Sequence, residues 1–151
     1  PVSRSGRRPG KVIFPSPKIA GKPLRIEAEI QLKAQATPQG VLLAQGGKEH
    51  GYAIHWLKGK LAFDVRVDGK VTRVQINAPT KGRLKVVAVL DQQVISLEVE
   101  GARAKMNSPG LIPVQPKDDL SIGFDDQTAA GNYNVPNSFN GKVLSYSVNK
   151  R

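Results

Sequence analysis

Two tight turns within residues 43–76 constrain the fold more than any other feature of the sequence. The dipeptides Lys58-Gly59 and Asp68-Gly69 each separate stretches in which apolar and polar residues alternate. Directly opposed residues of an antiparallel hairpin lie on one face of the sheet, so each turn predicts which side chains share a face. Both turns predict the same inward, apolar set: Tyr52, Ile54, Trp56, Leu61, Phe63, Val65, Val74 and Ile76.

The opposite face of this three-stranded unit is predicted to be polar and exposed to solvent. Its members are His55, Lys60, Asp64, Arg66, Arg73 and Gln75. The same register places Asp64 opposite Arg73, so the charge of this face is partly paired. We expect His50 in the loop that precedes the unit, His55 on the solvated face and Trp56 in the core.

The same alternation recurs on both sides of the unit. Residues 24–34 have a strict period of two, which is typical of a half-buried antiparallel strand. Their inward positions are Leu24, Ile26, Ala28, Ile30, Leu32 and Ala34. A further turn at Gln92 and Gln93 joins two strands of a second hairpin and places Lys85 opposite Glu100.

Further strands are predicted near both ends of the chain, and no stretch of ten or more residues has helical periodicity. The additional predicted strands cover residues 41–45, 120–124 and 139–148. With about ten to twelve strands in all, the natural arrangement is an all-β, two-sheet antiparallel sandwich.

A chain of 151 residues is long enough for one compact domain. Residues 1–23 are predicted to be a basic, Pro- and Gly-rich linker with a short edge strand, and residues 24–151 to be the domain itself. The net charge of +11 favours polyanionic partners. We predict no specific nucleic-acid binding, because no RNP-like aromatic motif or basic recognition helix is present. No apolar run is long enough to span a membrane.

Six segments follow one another through most of the chain: GKPLRIEAEI, VLLAQGG, GYAIHWLKGKLAFDVR, GRLKVVAVLDQQVISLEVEG, DDLSIGFDD and SFNGKVLSYSV. This succession resembles the laminin-G-like, concanavalin-A-like jelly-roll domain, and is similar to the version that follows the catalytic domain of bacterial arylsulfatases. The resemblance implies a jelly roll of the lectin and glucanase type, in a secreted or periplasmic protein. It also implies an accessory domain that binds anionic polysaccharide, including sulfated polysaccharide, or packs on the catalytic domain of the same chain.

The chain itself is predicted to be non-catalytic. Sulfatases need a Cys or Ser in a C/S-x-P-x-R motif, and this sequence has no cysteine and no serine that begins the motif. Glucanases of the same broad fold carry two glutamates on one strand with an aspartate between them. The nearest match is Glu98 and Glu100, without that aspartate. Two alternatives stay open: a purely structural or interaction domain with no glycan ligand, and a glycoside hydrolase of the glucanase type.

The predicted ligand-binding residues are Lys60, Arg66, Arg73 and Tyr133. The three cationic groups would pair with sulfate esters, and the tyrosine ring would stack on a sugar from the loop at residues 125–138.

Calcium is the metal that the resemblance suggests, because laminin-G-like domains often hold one at a loop rim. The predicted ligands are Asp125 and Asp126, the carboxylates of the longest polar loop. Loops rich in Asp and Asn are more often turns in which these side chains bond to their own backbone, so no cofactor is predicted.

Overall fold

The structure is a computed structural model that describes residues 10–150, with side chains described for residues 10–149. The first nine residues of the predicted linker, including Arg4, Arg7 and Arg8, lie outside the described residues.

Eleven strands make up the regular structure of residues 10–150. In chain order they are β1 (Lys11–Ile13), β2 (Leu24–Gln31), β3 (Gly40–Gly46), β4 (Gly51–Leu57), β5 (Lys60–Val67), β6 (Lys70–Asn77), β7 (Arg83–Leu90), β8 (Val94–Val99), β9 (Ala102–Asn107), β10 (Leu120–Ile122) and β11 (Lys142–Lys150). The six-stranded sheet has the order β1-β10-β3-β4-β5-β6, and the five-stranded sheet has the order β11-β2-β7-β8-β9. All strand pairs within the sheets are antiparallel, which confirms the predicted two-sheet sandwich. Within residues 10–150 there is no helix that could cross a membrane.

The three predicted turns are confirmed by the strand register. Trp56 pairs with Leu61 across the first turn, and Asp64 pairs with Arg73 across the second. In both turns a residue with positive φ precedes the glycine: 50° at Lys58 and 51° at Asp68. Two consecutive positive φ values are typical of the type I′ turn, whose twist matches that of the strands it joins.

The hydrophobic core lies between the sheets. The predicted inward residues of β4, β5 and β6 are all buried in it. Trp56 is 3% exposed, so the prediction that it is a core residue is confirmed. Ile19, from the segment after β1, and Phe139, which precedes β11, also belong to the core. Burial of these aliphatic and aromatic side chains is the main force that holds the sheets together.

Two local predictions are wrong. Ala34 is exposed, because β2 ends at Gln31. The register does place Lys85 opposite Glu100, as predicted, but the expected charge contact between them is wrong, because the ammonium group of Lys85 lies 3.5 Å from Glu27 Oε1. Glu100 instead accepts a hydrogen bond of 2.8 Å from the backbone N–H of Lys85.

Candidate functional site

A loop formed by residues 125–138 packs against the outer face of the six-stranded sheet. Ala130 and Tyr133 in the loop contact a small apolar cluster on the sheet, formed by Val41, Ala44 and Ala53. His55, on the same face, is fully buried. The prediction that His55 is solvated is therefore wrong, because a segment from a distant part of the sequence covers it.

Asp64 is the centre of a buried polar cluster on this face. Its Oδ1 accepts a hydrogen bond of 2.6 Å from Arg73 Nε, and its Oδ2 accepts one of 2.8 Å from the same guanidinium group. His55 Nε2 lies 2.9 Å from Oδ2, and the ionised carboxylate can only accept, so the proton of this bond is on His55. The backbone N–H of Asn132 donates a fourth bond of 3.2 Å, which ties the loop to the strands.

The partners of Asp64 determine its ionisation. Burial by itself raises the pKa of a carboxyl group, but the hydrogen bonds from Arg73 and His55 outweigh burial and lower the pKa of Asp64 to about 2. The same contact with Asp64 raises the pKa of Arg73. Asp64 and Arg73 thus form a buried ion pair in which both charges are compensated.

Arg66 holds the loop from one side. Its Nε donates to the carbonyl of Ala130 at 3.1 Å, and a terminal nitrogen donates to the carbonyl of Gly131 at 3.0 Å. Gly131 lies so close to the cluster that an added Cβ would be 2.7 Å from Asp64 Oδ2. Only glycine therefore allows the loop backbone to approach the buried carboxylate this closely.

Asp125, at the start of the loop, has a different environment. Its Oδ2 accepts hydrogen bonds from the Tyr133 hydroxyl and, at 2.9 Å, from the backbone N–H of Ala130. Burial raises the pKa of Asp125 to about 6, although these two hydrogen bonds oppose the shift. Burial and the charge of Asp125 likewise raise the pKa of Tyr133. The tyrosine ring meets the His55 ring edge-on, with centroids 4.8 Å apart.

The calcium prediction can be compared with these contacts. Calcium takes six to eight oxygen ligands, whereas one oxygen of Asp125 already accepts two hydrogen bonds. Within residues 10–149, no group of three or more His, Asp or Glu side chains is arranged to hold a metal ion. A calcium site at Asp125 and Asp126 stays a prediction, and the melting temperature measured with and without calcium tests it.

The structure brings three of the four predicted ligand residues together, at the contact between the loop of residues 125–138 and the sheet. Arg73 and Tyr133 contribute to the Asp64 and Asp125 contacts, and Arg66 bonds to loop carbonyls. Lys60 lies apart from them, exposed at the start of β5. The predicted pairing of Asp64 with Arg73 pointed to the cluster, but no pattern in the sequence indicated that Asp125 and Tyr133 would join it.

An open depression of about 360 Å³ lies at the rim of the sandwich, where three loops meet. It is lined by the β3–β4 loop, by residues 114–118 and by Thr128 of the loop at residues 125–138, called the covering loop below. Its charged and imidazole groups come from Lys48, Glu49, His50, Lys117 and Asp118, and its apolar surface from Val114 and Pro116. Asp118 Oδ2 accepts bonds from the hydroxyl and backbone N–H of Thr128, so the covering loop forms one wall of the depression.

Comparison of the sequence with protein-family models found no match, and comparison with curated proteins found none either. Comparison of the structure with solved structures did find matches. Domains LG4-5 of the mouse laminin alpha1 chain superpose with a TM-score of 0.71 at 18% sequence identity, over 94% of this chain and 39% of that chain. This chain therefore spans less than half the length of that laminin fragment.

Two further structures are similar over most of this chain. A SAP-like pentraxin from Limulus polyphemus gives a TM-score of 0.62 at 13% identity, covering 89% of this chain and 67% of that one. The CBM40 of Ruminococcus gnavus IT-sialidase, bound to alpha2,6 sialyllactose, gives 0.62 at 12% identity, covering 95% and 89%. At these identities the comparisons establish the fold alone: the chain is an all-β jelly-roll sandwich, similar in fold to these three structures.

Proposed function

We propose that this chain is a non-catalytic glycan-binding domain that holds anionic polysaccharide at the rim depression. Two similar folds support this assignment, because the CBM40 is bound to sialyllactose and a botulinum neurotoxin binding domain is in complex with SialylT. The proposal keeps the role expected from the sequence and moves the principal site away from the covered sheet face.

The observation that carries the proposal is the composition of the depression. Its volume of about 360 Å³ is within the usual range for ligand sites, about 300–1,000 Å³. A sugar presents hydroxyl groups and an apolar C–H surface, and the depression offers charged groups beside Val114 and Pro116. Lys48 and Lys117 are exposed, so their ammonium groups are accessible to sulfate or carboxylate groups.

The charge of the whole domain favours an anionic polymer over a neutral one. Residues 10–150 contain 19 of the 23 basic residues and all 12 acidic residues, a net charge of +7. A positive field raises the local concentration of polyanions and speeds their association. Of the four ligand residues predicted from the sequence, we assign Arg66, Arg73 and Tyr133 to positioning of the loop, and Lys60 lies outside the lining of the depression.

Affinity electrophoresis in gels that contain sulfated, carboxylated or neutral polysaccharide tests the proposal at about 0.15 M salt. We expect retention by the anionic polymers. The double variant Lys48→Glu, Lys117→Glu should lose it. The double variant Lys33→Glu, Lys81→Glu, at two exposed positions outside the lining of the depression, changes the net charge by the same amount and serves as the matched control. Lys60→Glu separates the two locations, since a larger loss in this variant would place the ligand at the sheet face predicted from the sequence.

The wider context is a secreted or periplasmic sulfatase to which the domain is an accessory. This part of the proposal rests on the resemblance of the sequence segments. Its test is the association of the domain with the catalytic domain of such a sulfatase. Retention on no polymer, together with tight association of the two domains, would favour the structural alternative and overturn the glycan-binding assignment.

A further inference from the structure

A second depression lies between β1 and β11, each of which is the last strand of its sheet. It is a groove of about 490 Å³. The apolar part of its lining comes from Ile122, Phe139, Val143 and Leu144. Lys11 and Lys142 also line it, and among residues 10–149 no acidic residue does. The groove is therefore apolar with a positive border, and it is separate from the rim depression.

The backbone beside this groove is available for pairing. β11 is nine residues long and is the last strand of its sheet, so within residues 10–150 no strand pairs with its outer edge. An unpaired edge presents alternating N–H and C=O groups, and long edges of this kind accept further strands unless they are protected. A bulge inserts Leu144 near the start of β11, and the paired register is continuous from Ser145 onward.

Side chains beside the edge reinforce this arrangement. Leu144 is 43% exposed and lines the groove. The Lys11 ammonium group lies 5.8 Å from the centre of the Tyr146 ring, which brings β1 close to the middle of β11. An added strand would thus have apolar surface on one side and two ammonium groups within reach of its acidic side chains.

We propose that the β1–β11 groove binds an extended acidic segment of a partner protein, which adds as a strand to β11 and places apolar side chains in the groove. Main-chain hydrogen bonds would supply affinity, and the groove would select alternate side chains. Charge complementarity chooses the partner. A second copy would bring the same two lysines, and residues 1–9 of this chain carry three arginines and no acid. An acidic partner is therefore favoured over both.

Fluorescence anisotropy with labelled peptides of about eight residues, a usual strand length, tests the proposal. One peptide alternates glutamate with valine, a second replaces glutamate with lysine, and a third is the first with alternate backbone amides N-methylated. We expect the first peptide, which is acidic and has free backbone amides, to bind, and the other two not to bind. The double variant Lys11→Glu, Lys142→Glu should weaken binding by at least about tenfold, and Lys81→Glu should leave it within about twofold because rim-distant charges contribute little.

Each alternative gives a distinct result. Equal binding of the acidic and lysine peptides, or of the methylated and unmethylated peptides, would overturn strand addition to β11. Two results together would make the groove a glycan site instead. Sulfated polysaccharide would displace the peptide from the groove, and the Lys11→Glu, Lys142→Glu variant would no longer be retained in gels that contain this polysaccharide. Since the variants at Lys48 and Lys117 do not touch this groove, failure here is distinguishable from failure of the rim assignment.

Discussion

Asp64 and Asp125 are both buried against the same loop, yet their pKa values shift in opposite directions. Asp64 accepts hydrogen bonds from two side chains, one of which is a permanent cation. Asp125 accepts bonds only from a neutral hydroxyl and a backbone N–H. Burial removes the hydration of both carboxylates. Only for Asp64 does a neighbouring positive charge, that of Arg73, offset this loss. The comparison shows that the middle of the loop is bonded to a carboxylate with a compensating charge, whereas the carboxylate at the start of the loop has none and has a raised pKa.

The largest effect on stability is expected from substitution of Asp64. Asp64→Ala removes the acceptor of four hydrogen bonds and leaves the Arg73 guanidinium, whose side chain is 23% exposed, without its partner. The free energy of unfolding should fall by about 3 kcal/mol, the lower end for broken buried pairs, because water can reach Arg73. Urea denaturation measures the loss. Asp68→Asn is the matched control, because the side chain of Asp68 is 83% exposed and its loss should change little.

If Asp64→Ala does not fold, Asp64→Asn keeps the shape, removes the charge and replaces one acceptor oxygen by an NH2 group that faces the donors of Arg73 or His55. Its stability relative to Arg73→Met then reports the pairing. A loss for Asp64→Asn no larger than that for Asp68→Asn would contradict the compensated ion pair.

The position between the two carboxylates comes next. In Gly131→Ala the new Cβ meets Asp64 Oδ2 and the Tyr133 ring, both of which are held by hydrogen bonds. Overpacking of this kind costs about 1–3 kcal/mol. Asn134→Ala, at an exposed position of the same loop, should change stability by less than about 0.5 kcal/mol. Equal melting temperatures for the two variants would show that the loop does not need its close approach to the sheet.

The contacts of Asp64, which lies on a strand, could be predicted in part from the sequence, whereas those of Asp125, which lies in a loop, could not. The pairing of Asp64 with Arg73 followed from counting residues across the Asp68-Gly69 turn, because the period of a strand is two and a turn sets the register. The error at His55 has the same origin. Alternation tells which face of a strand a side chain occupies, but it does not tell whether another part of the chain covers that face.

Asp125 and Tyr133 lay beyond that method. Loop residues 125–138 have no repeating geometry from which contacts can be counted, and their conformation depends on Arg66 and on the space above Gly131. The polar character of the loop predicted turns and an exposed ring at Tyr133. Its contacts with the apolar cluster around Ala53 and with His55 arise only after the sheet has formed.

The raised pKa of Asp125, which has no compensating charge beside it, leads to a specific pH dependence of stability. Because the pKa of Asp125 rises from 3.8 to about 6 on folding, its contribution to stability is greatest below pH 4 and falls as the pH rises through 6. Asp125→Asn keeps an acceptor oxygen and removes the charge. Between pH 4.5 and pH 8 the stability of this variant relative to the parent should therefore rise by about 2 kcal/mol.

This pH interval separates the two carboxylates. The pKa of Asp64 is lowered to about 2 on folding, so its contribution is fully present above about pH 4 and is lost only at lower pH. Urea denaturation of both proteins at the two pH values measures the difference. A constant difference across the interval would mean that Asp125 ionises normally in the folded protein.

The smaller of the two pH-dependent effects is expected from Tyr133→Phe, which keeps the ring against His55 and removes one of the two donors to Asp125. A hydrogen bond to a charged group contributes about 1.5–3 kcal/mol, and one to a neutral group about 1 kcal/mol. Because Asp125 is charged at pH 8 and largely neutral at pH 4.5, the destabilisation should be larger at pH 8. The loss of the donor should also raise the pKa of Asp125 further, which carbon NMR of the carboxyl group can follow. Equal destabilisation at both pH values, with an unchanged pKa, would mean that Tyr133 holds the loop through its ring alone. The contrast between Asp64 and Asp125 would then rest on the charge of Arg73 and not on the hydroxyl donor of Tyr133.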